Sequence, residues 1–314
     1  MPTLPSPRSY LITPASNPAM IAKAARSAAD AICVDLEDAV APGEKEASRA
    51  HVVSALRDLD FGPRLRLFRP NGLDTPFAYR DLIEVVEGAG DRLDAIIVPK
   101  VSRAADVQFV ATLLTQIELR QGFPVGRIAI EAQIETALGC VNVDTIAAAS
   151  PRLDALIFGM GDYAASLGMP LDAIGEPDEN DRLYPGHRWH HVMSRIVTAA
   201  RAFAKRAIDG PYASFRDADG FAQAAGIARV LGFDGKWCIH PGQLAATNAA
   251  FSPPSAQVAW ARTVLAEYAR ATAAGRGAIT IDGKMIDAAS LRVARAIVTR
   301  DESARARDGA ATER

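Results

Sequence analysis

Cysteine is scarce in this chain: Cys33, Cys140 and Cys238 are its three, far apart and without CxxC spacing. An odd number so placed gives no disulfide framework, and each lies in or beside an apolar run, as small buried thiols of a reducing compartment do. An excess of one charge is also missing. Lys and Arg number 35 against 37 Asp and Glu, a net charge of −2, with an isoelectric point near 6.2. Nothing in that balance implies a nucleic-acid or membrane surface. No apolar run reaches membrane-spanning length, and the opening "MPTLPSPRSYLITPASN" has no basic segment followed by an apolar one. The expectation is a soluble, cytoplasmic protein. No apolar run leads into GxGxxG or GxxxxGK[ST], which argues against a nucleotide-binding open sheet.

What the chain does have is a repeat. With 314 residues, 49% hydrophobic and 23% charged, it can bury one large α/β barrel or two ordinary domains. Apolar, β-rich runs recur at 9–14, 31–38, 64–70, 95–100, 128–135, 155–162, 204–212 and 235–240. Amphipathic stretches with helix-start chemistry lie between them: Pro18 after Asn17, Ser102 ahead of "RAADVQFVATLL", and Asp217 opening a segment that closes on Gly232. Eight strand–helix units predict a closed (β/α)8 barrel.

A barrel of this kind carries its site at the C-terminal ends of its strands. Here those ends bear Asp35, Glu37 and Asp38, then Arg69, Lys100, Glu135, Asp162, Asp209 and His240, whereas the starts are mostly apolar or small. In "AICVDLED" a strand's alternation puts Cys33, Asp35 and Glu37 on one face. Buried carboxylates need partners, so acids and cations that converge on one rim predict a site.

The ordered segments "RSYLITPASNPAMIAKA", "VDLEDAVAPGEK", "FRPNGLDTPFAYRDL", "VPKV", "AQIETALG", "FGMGDYAASLG", "GKWCIHPGQL" and "DGKMID" cover almost the whole chain. Together they resemble the HpcH/HpaI aldolase and citrate lyase beta-subunit-like superfamily, and within it the malyl-CoA and citramalyl-CoA lyases. That resemblance implies a TIM barrel over 1–275, a C-terminal helical lid and tail over 276–314, and trimers or hexamers that exchange lids between subunits. It also implies divalent-metal-dependent cleavage of a 3-hydroxyacyl-CoA into an acyl-CoA and a 2-oxo acid such as glyoxylate. A malyl-CoA thioesterase and a citryl thioester lyase of the citrate lyase beta type are the alternatives.

Residue by residue, the resemblance makes Glu135 and Asp162 ligands of Mg²⁺, with Mn²⁺ as an alternative. A hard cation held by one or two carboxylates, with positions left for water and substrate, suits that pair. Arg69 matches the arginine that binds the thioester carbonyl, and a fixed guanidinium suits a developing enolate. Glu37 and Asp38 are expected to orient Arg69 and metal-bound water, with Asp35 structural. Asp287 corresponds to the lid's catalytic acid, expected to gain a raised pKa in a dry pocket. The Pro that the family carries after "MIDA" is missing here. Lys23 matches a lysine that contacts the CoA phosphates, but the family's Pro-Gly and following Arg read Pro14-Ala15 and Asn17. Those two departures leave room for a free-acid substrate.

Two histidine groups stand outside this set. His187, His190 and His191 in "HRWHH" have a helical spacing that could ligate zinc, though a surface or substrate-contacting helix fits the pattern as well. His240 either touches substrate or caps the helix that follows. The tail "RDESARARDGAATER" is charged and rich in small residues, so disorder is expected there.

Overall fold

Eight strands close into a parallel barrel in chain order: β1 Ser9–Pro14, β2 Ala31–Asp35, β3 Leu65–Arg69, β4 Ala95–Val98, β5 Ala129–Ile134, β6 Leu153–Phe158, β7 Arg206–Asp209 and β8 Gly235–Cys238. The last pairs with the first through Ser9 and Lys236, Tyr10 and Trp237, and Leu11 and Cys238. This computed structural model describes residue 4, residues 6–184 and residues 187–312. Helices follow the strands: α1 Pro18–Ala25, α2 Lys45–Asp58, α3 Ala78–Ala89, α4 Ala104–Gln121, α5 Ala137–Val141, α6 Val143–Ala147, α7 Met160–Leu167, α8 Glu179–Leu183, α9 His190–Ala202, α10 Ala218–Leu231 and α11 Leu244–Phe251.

Strand alternation builds two apolar layers. Tyr10, Cys33, Leu67, Ile97, Ile157, Ile208 and Trp237 fill the barrel interior. Leu11, Ile32 and Cys238, one position out of phase, pack outward with Ala24, Ala25, Phe221 and Leu244 from the helices. Of the helix signals, Ser102 does not cap α4, which Arg103 precedes, and its hydroxyl turns to the Lys100 carbonyl; the others act as expected. The Asn17 side chain accepts from the Met20 amide at 3.1 Å, Asp217 accepts from the Gly220 amide at 3.0 Å, and Gly232 ends α10 at φ +105°. All three cysteines are free and buried.

The chain divides into two compact units, one through Ala249 and one from Ala250. In the second unit α12, Ser255–Ala273, packs with α13, Ala288–Thr312. Between these helices a hairpin pairs β9, Ile279–Ile281, with β10, Lys284–Ile286. Its turn, Asp282-Gly283, has φ +49° and +74°, the doubly left-handed geometry of a tight hairpin. Ala261 and Val264 of α12, Ile286 of β10 and Ala294 of α13 form this unit's core, with Ile297 packed against it. The apolar stripe of α13 is thus covered within its own unit at Ala294 and Ile297, while Val293 stays exposed. Among the described residues no helix is long and apolar enough to cross a membrane.

Candidate active site

The register between β2 and β3 sets Asp35 directly beside Arg69. Both are buried, and the carboxylate grips the guanidinium side-on, Oδ1 to Nε and Oδ2 to Nη2, each at 2.7 Å. Asp35 also accepts from the Glu37 and Ala39 amides at 2.9 and 3.2 Å, which folds the chain after β2 back over the strand end. Burial alone would raise the Asp35 pKa, but the Arg69 charge and these hydrogen bonds outweigh it and hold the acid below its ordinary range. Glu37 closes the other edge of the guanidinium, with Oε2 at 2.7 Å from Nη1. Arg69 also lies over the Trp237 ring, 5.3 Å from its centroid. Asp35, expected to be only structural, therefore carries the main grip on Arg69. Asp38 takes no part in that grip, since its side chain is 61% exposed and its cationic neighbour is Lys100 at 3.7 Å.

Glu135 is the first residue after β5, where the alternation of Glu131 and Gln133 brings it to the interior face. It is almost fully buried. Its Oε1 accepts from the Lys100 amide at 2.7 Å, and its Oε2 accepts from Gln133 Nε2. Gln133 Oε1 in turn accepts from Arg69 Nη1 at 3.4 Å. Across the ladder Ile134 pairs with Phe158, so Gly159 sits against Glu135, and a β-carbon there would collide with its carboxylate. Only glycine leaves that space open. Burial, and then the charge of Glu37, push the Glu135 pKa up to about 8, with Asp162 adding to the rise. Asp162 stands in the first turn of α7, close enough for its charge to act on both Glu135 and Lys100.

A buried carboxylate that resists ionisation, a second acid in its field and a glycine that keeps its front clear together suit a divalent cation. Mg²⁺ asks for few protein oxygens and keeps several positions for other ligands. Among the described residues no group of three His, Cys, Asp or Glu side chains could hold a metal, so the two-carboxylate arrangement is the candidate.

Lys100 bridges the halves of the site. Its Nζ donates to Glu37 Oε1 at 2.6 Å. Burial would lower its pKa, but the hydrogen bond and charge of Glu37 outweigh it and hold the lysine above its usual range. Beside it opens a cavity of about 620 Å³, lined by Leu73, Asp74, Lys100, Ser102, Phe109 and Thr136 among others. Deeper in the barrel, Glu131 joins Tyr10 Oη at 3.0 Å and Arg206 Nη2 at 2.9 Å, and burial raises its pKa to about 7.

Among the other expected residues, Lys23 is exposed on α1. Asp287 belongs to the second compact unit, where Oδ1 accepts from the Ala289 and Ser290 amides at 2.9 and 3.0 Å and caps α13. Those amides favour the carboxylate and lower its pKa. His187 precedes α9 and does not share a helical face with His190 and His191, so the spacing expected for zinc is not realised. His240 Nδ1 accepts from the Gly242 amide at 3.0 Å and its ring stacks on Phe215, so it caps the turn that follows.

Residues 8–241 match the family model described as HpcH/HpaI aldolase/citrate lyase. The chain belongs to that family. It is 44% identical over 304 residues, 95% of each chain, to the L-malyl-CoA/beta-methylmalyl-CoA lyase of Rhodobacter capsulatus. It is 37% identical over 296 residues to a (3S)-malyl-CoA thioesterase of Cereibacter sphaeroides, covering 94% of this chain and 95% of that one. Among solved structures it resembles CitE of Mycobacterium tuberculosis in complex with magnesium, acetoacetate and coenzyme A. The TM-score is 0.75 at 31% identity, over 94% of this chain and 97% of that chain.

Within this family member, sequence reasoning brought Arg69, Glu37, Lys100, Glu135 and Asp162 to one rim but missed two neighbours. Gln133 lies two residues before Glu135 on the same strand face, a signal present in "AQIE". Gly159 could be read only with the β5–β6 register known. Lys100 was visible as a charged strand end, but its left-handed backbone was not.

Proposed function

We propose that this protein is a divalent-metal-dependent carbon–carbon lyase. It splits a malyl-CoA-type 3-hydroxyacyl thioester into an acyl-CoA and a 2-oxo acid such as glyoxylate, and it runs the reverse condensation. The observation that carries the reading is a guanidinium fixed on two edges, Arg69 between Asp35 and Glu37, set beside the buried Glu135 and its partner Asp162. Glu135 and Asp162 would hold Mg²⁺, or Mn²⁺, which when bound supplies a Lewis acid for the carboxylate and carbonyl oxygens of the 2-oxo acid.

In the cleavage direction the hydroxyl proton leaves to a carboxylate, and the new carbonyl forms as the carbon–carbon bond breaks. The bonding pair moves into the thioester as an enolate, which is then protonated at carbon. Arg69 meets the enolate oxygen, and its anchored planar fork needs no rearrangement when that charge appears. Asp287 is the proton carrier in this reading, delivered by a lid from an adjacent subunit, so the active protein is an oligomer. Lys23 contacts the CoA phosphates.

Arg69→Lys tests the enolate role: kcat should fall far more than 2-oxo acid binding weakens. A loss confined to KM would make Arg69 a binding residue. The 37% identity to a malyl-CoA thioesterase favours hydrolysis as the second reading. Free thiol separates the two, because only water attack on the thioester releases CoA.

A further inference from the structure

Lys100, two residues past the end of β4, has φ +52°, a left-handed backbone that glycine adopts freely and a lysine does not. The conformation has a visible result. It turns the Lys100 amide onto Glu135 Oε1 at 2.7 Å while the side chain runs to Glu37 Oε1 at 2.6 Å. Glu37 Oε2 meets Arg69 Nη1 at 2.7 Å. The Ser102 hydroxyl donates to the Lys100 carbonyl at 3.1 Å and lies 3.0 Å from the Thr136 hydroxyl, so the strained turn is held from both sides of Glu135. A position that had only to offer the amide in this conformation would be served better by glycine. A strained lysine is explained if its ammonium is also used.

We propose that Lys100 is a positioning residue that couples the two halves of the site. Its amide aims Glu135, and its ammonium holds Glu37 against Arg69, so one residue sets the distance between the carboxylate pair and the guanidinium. The functional consequence rests on the lyase reading above; the mechanical coupling does not.

Three variants separate the roles. Lys100→Gly keeps the amide, relieves the strain and removes the ammonium. Lys100→Met removes the ammonium and keeps the strain. Lys100→Arg restores a cation of different reach. Four quantities are measured: Tm by thermal unfolding, Mn²⁺ affinity by electron paramagnetic resonance, condensation kinetics with glyoxylate and acetyl-CoA or propionyl-CoA, and the rate of phenylglyoxal labelling at Arg69 by peptide mass spectrometry.

For Lys100→Gly we expect an unchanged or higher Tm and Mn²⁺ affinity within about threefold of wild type. We expect kcat to fall roughly 10- to 100-fold, the usual effect of losing a group behind a catalytic one, and Arg69 to label several-fold faster. Lys100→Met should show the same loss of kcat and the same labelling, and Lys100→Arg should recover part of both. Wild-type kcat and labelling in Lys100→Gly would overturn the proposal. So would equal falls of Tm, Mn²⁺ affinity and kcat in both the Gly and Met variants, which would mark Lys100 as purely structural. If wild type forms no condensed thioester, the lyase reading fails and labelling decides alone: faster labelling of Arg69 in Lys100→Gly upholds the coupling, and an unchanged rate overturns it.

Discussion

Glu135 must be a carboxylate to bind a cation, yet its surroundings push its pKa up to about 8. Below that pH the metal-free protein carries a proton there, and a cation must displace it. Mn²⁺ affinity should therefore rise by up to about tenfold per pH unit between 6 and 8, then level off. The sign for stability follows from the same rise. The folded pKa lies above the unfolded value, so the contribution of Glu135 is fully present below the unfolded value and is lost as pH climbs through 8. Metal binding should raise Tm more at pH 8 than at pH 6. A pH-independent Mn²⁺ affinity would contradict this account of the carboxylate. Gly159 offers a second test, since a methyl group there meets the Glu135 carboxylate. Gly159→Ala should weaken Mn²⁺ binding roughly 10- to 100-fold with the circular dichroism of the barrel retained; unchanged Mn²⁺ binding would remove Gly159 from the site. Arg69→Lys keeps the charge and loses the fork, and kcat should fall roughly 10²- to 10³-fold.

At the scale of elements, α13 separates two roles of one residue. Asp287 caps the helix through its Oδ1, and the proposed reaction asks the same carboxylate to carry a proton. Asparagine caps as well as aspartate and alanine does not, so Asp287→Ala should destabilise by about 1 kcal/mol and Asp287→Asn by little. Both should lose turnover. Full activity in Asp287→Asn would leave Asp287 a cap alone. The strands were legible in the sequence, and their ends were not. The apolar runs continue to Asp38, Lys100, Glu135 and Asp162, while ladder pairing stops at Asp35, Val98, Ile134 and Phe158. Periodicity registers where apolar alternation fades, whereas pairing ends where the backbone leaves the sheet to aim side chains inward. Lys100 and Glu135 mark that departure.

For the whole molecule, eight strand–helix repeats were enough to predict a closed barrel, because each apolar run needs a neighbour on both edges. The stretch Ser252-Pro253-Pro254 ahead of α12 reads as a linker, but the helix's allegiance shows only in its packing with α13. The grip on Arg69 was hidden for a related reason. Asp35 becomes its main partner through the β2–β3 register, a contact across 34 positions of chain. If lids are exchanged in an oligomer, a mixture of Asp287→Ala and Asp162→Asn subunits should regain partial activity after subunit exchange, because some sites then hold both native residues. No recovery despite verified exchange would keep Asp287 with its own barrel or out of catalysis.

The central claim is that this site makes and breaks a carbon–carbon bond beside a thioester. Its most direct test incubates the purified protein with Mg²⁺, glyoxylate and acetyl-CoA or propionyl-CoA, and follows condensed thioester by mass spectrometry alongside free thiol. The account predicts a condensed thioester that requires the metal, with no matching release of CoA. Release of thiol from malyl-CoA without any condensed product would contradict it.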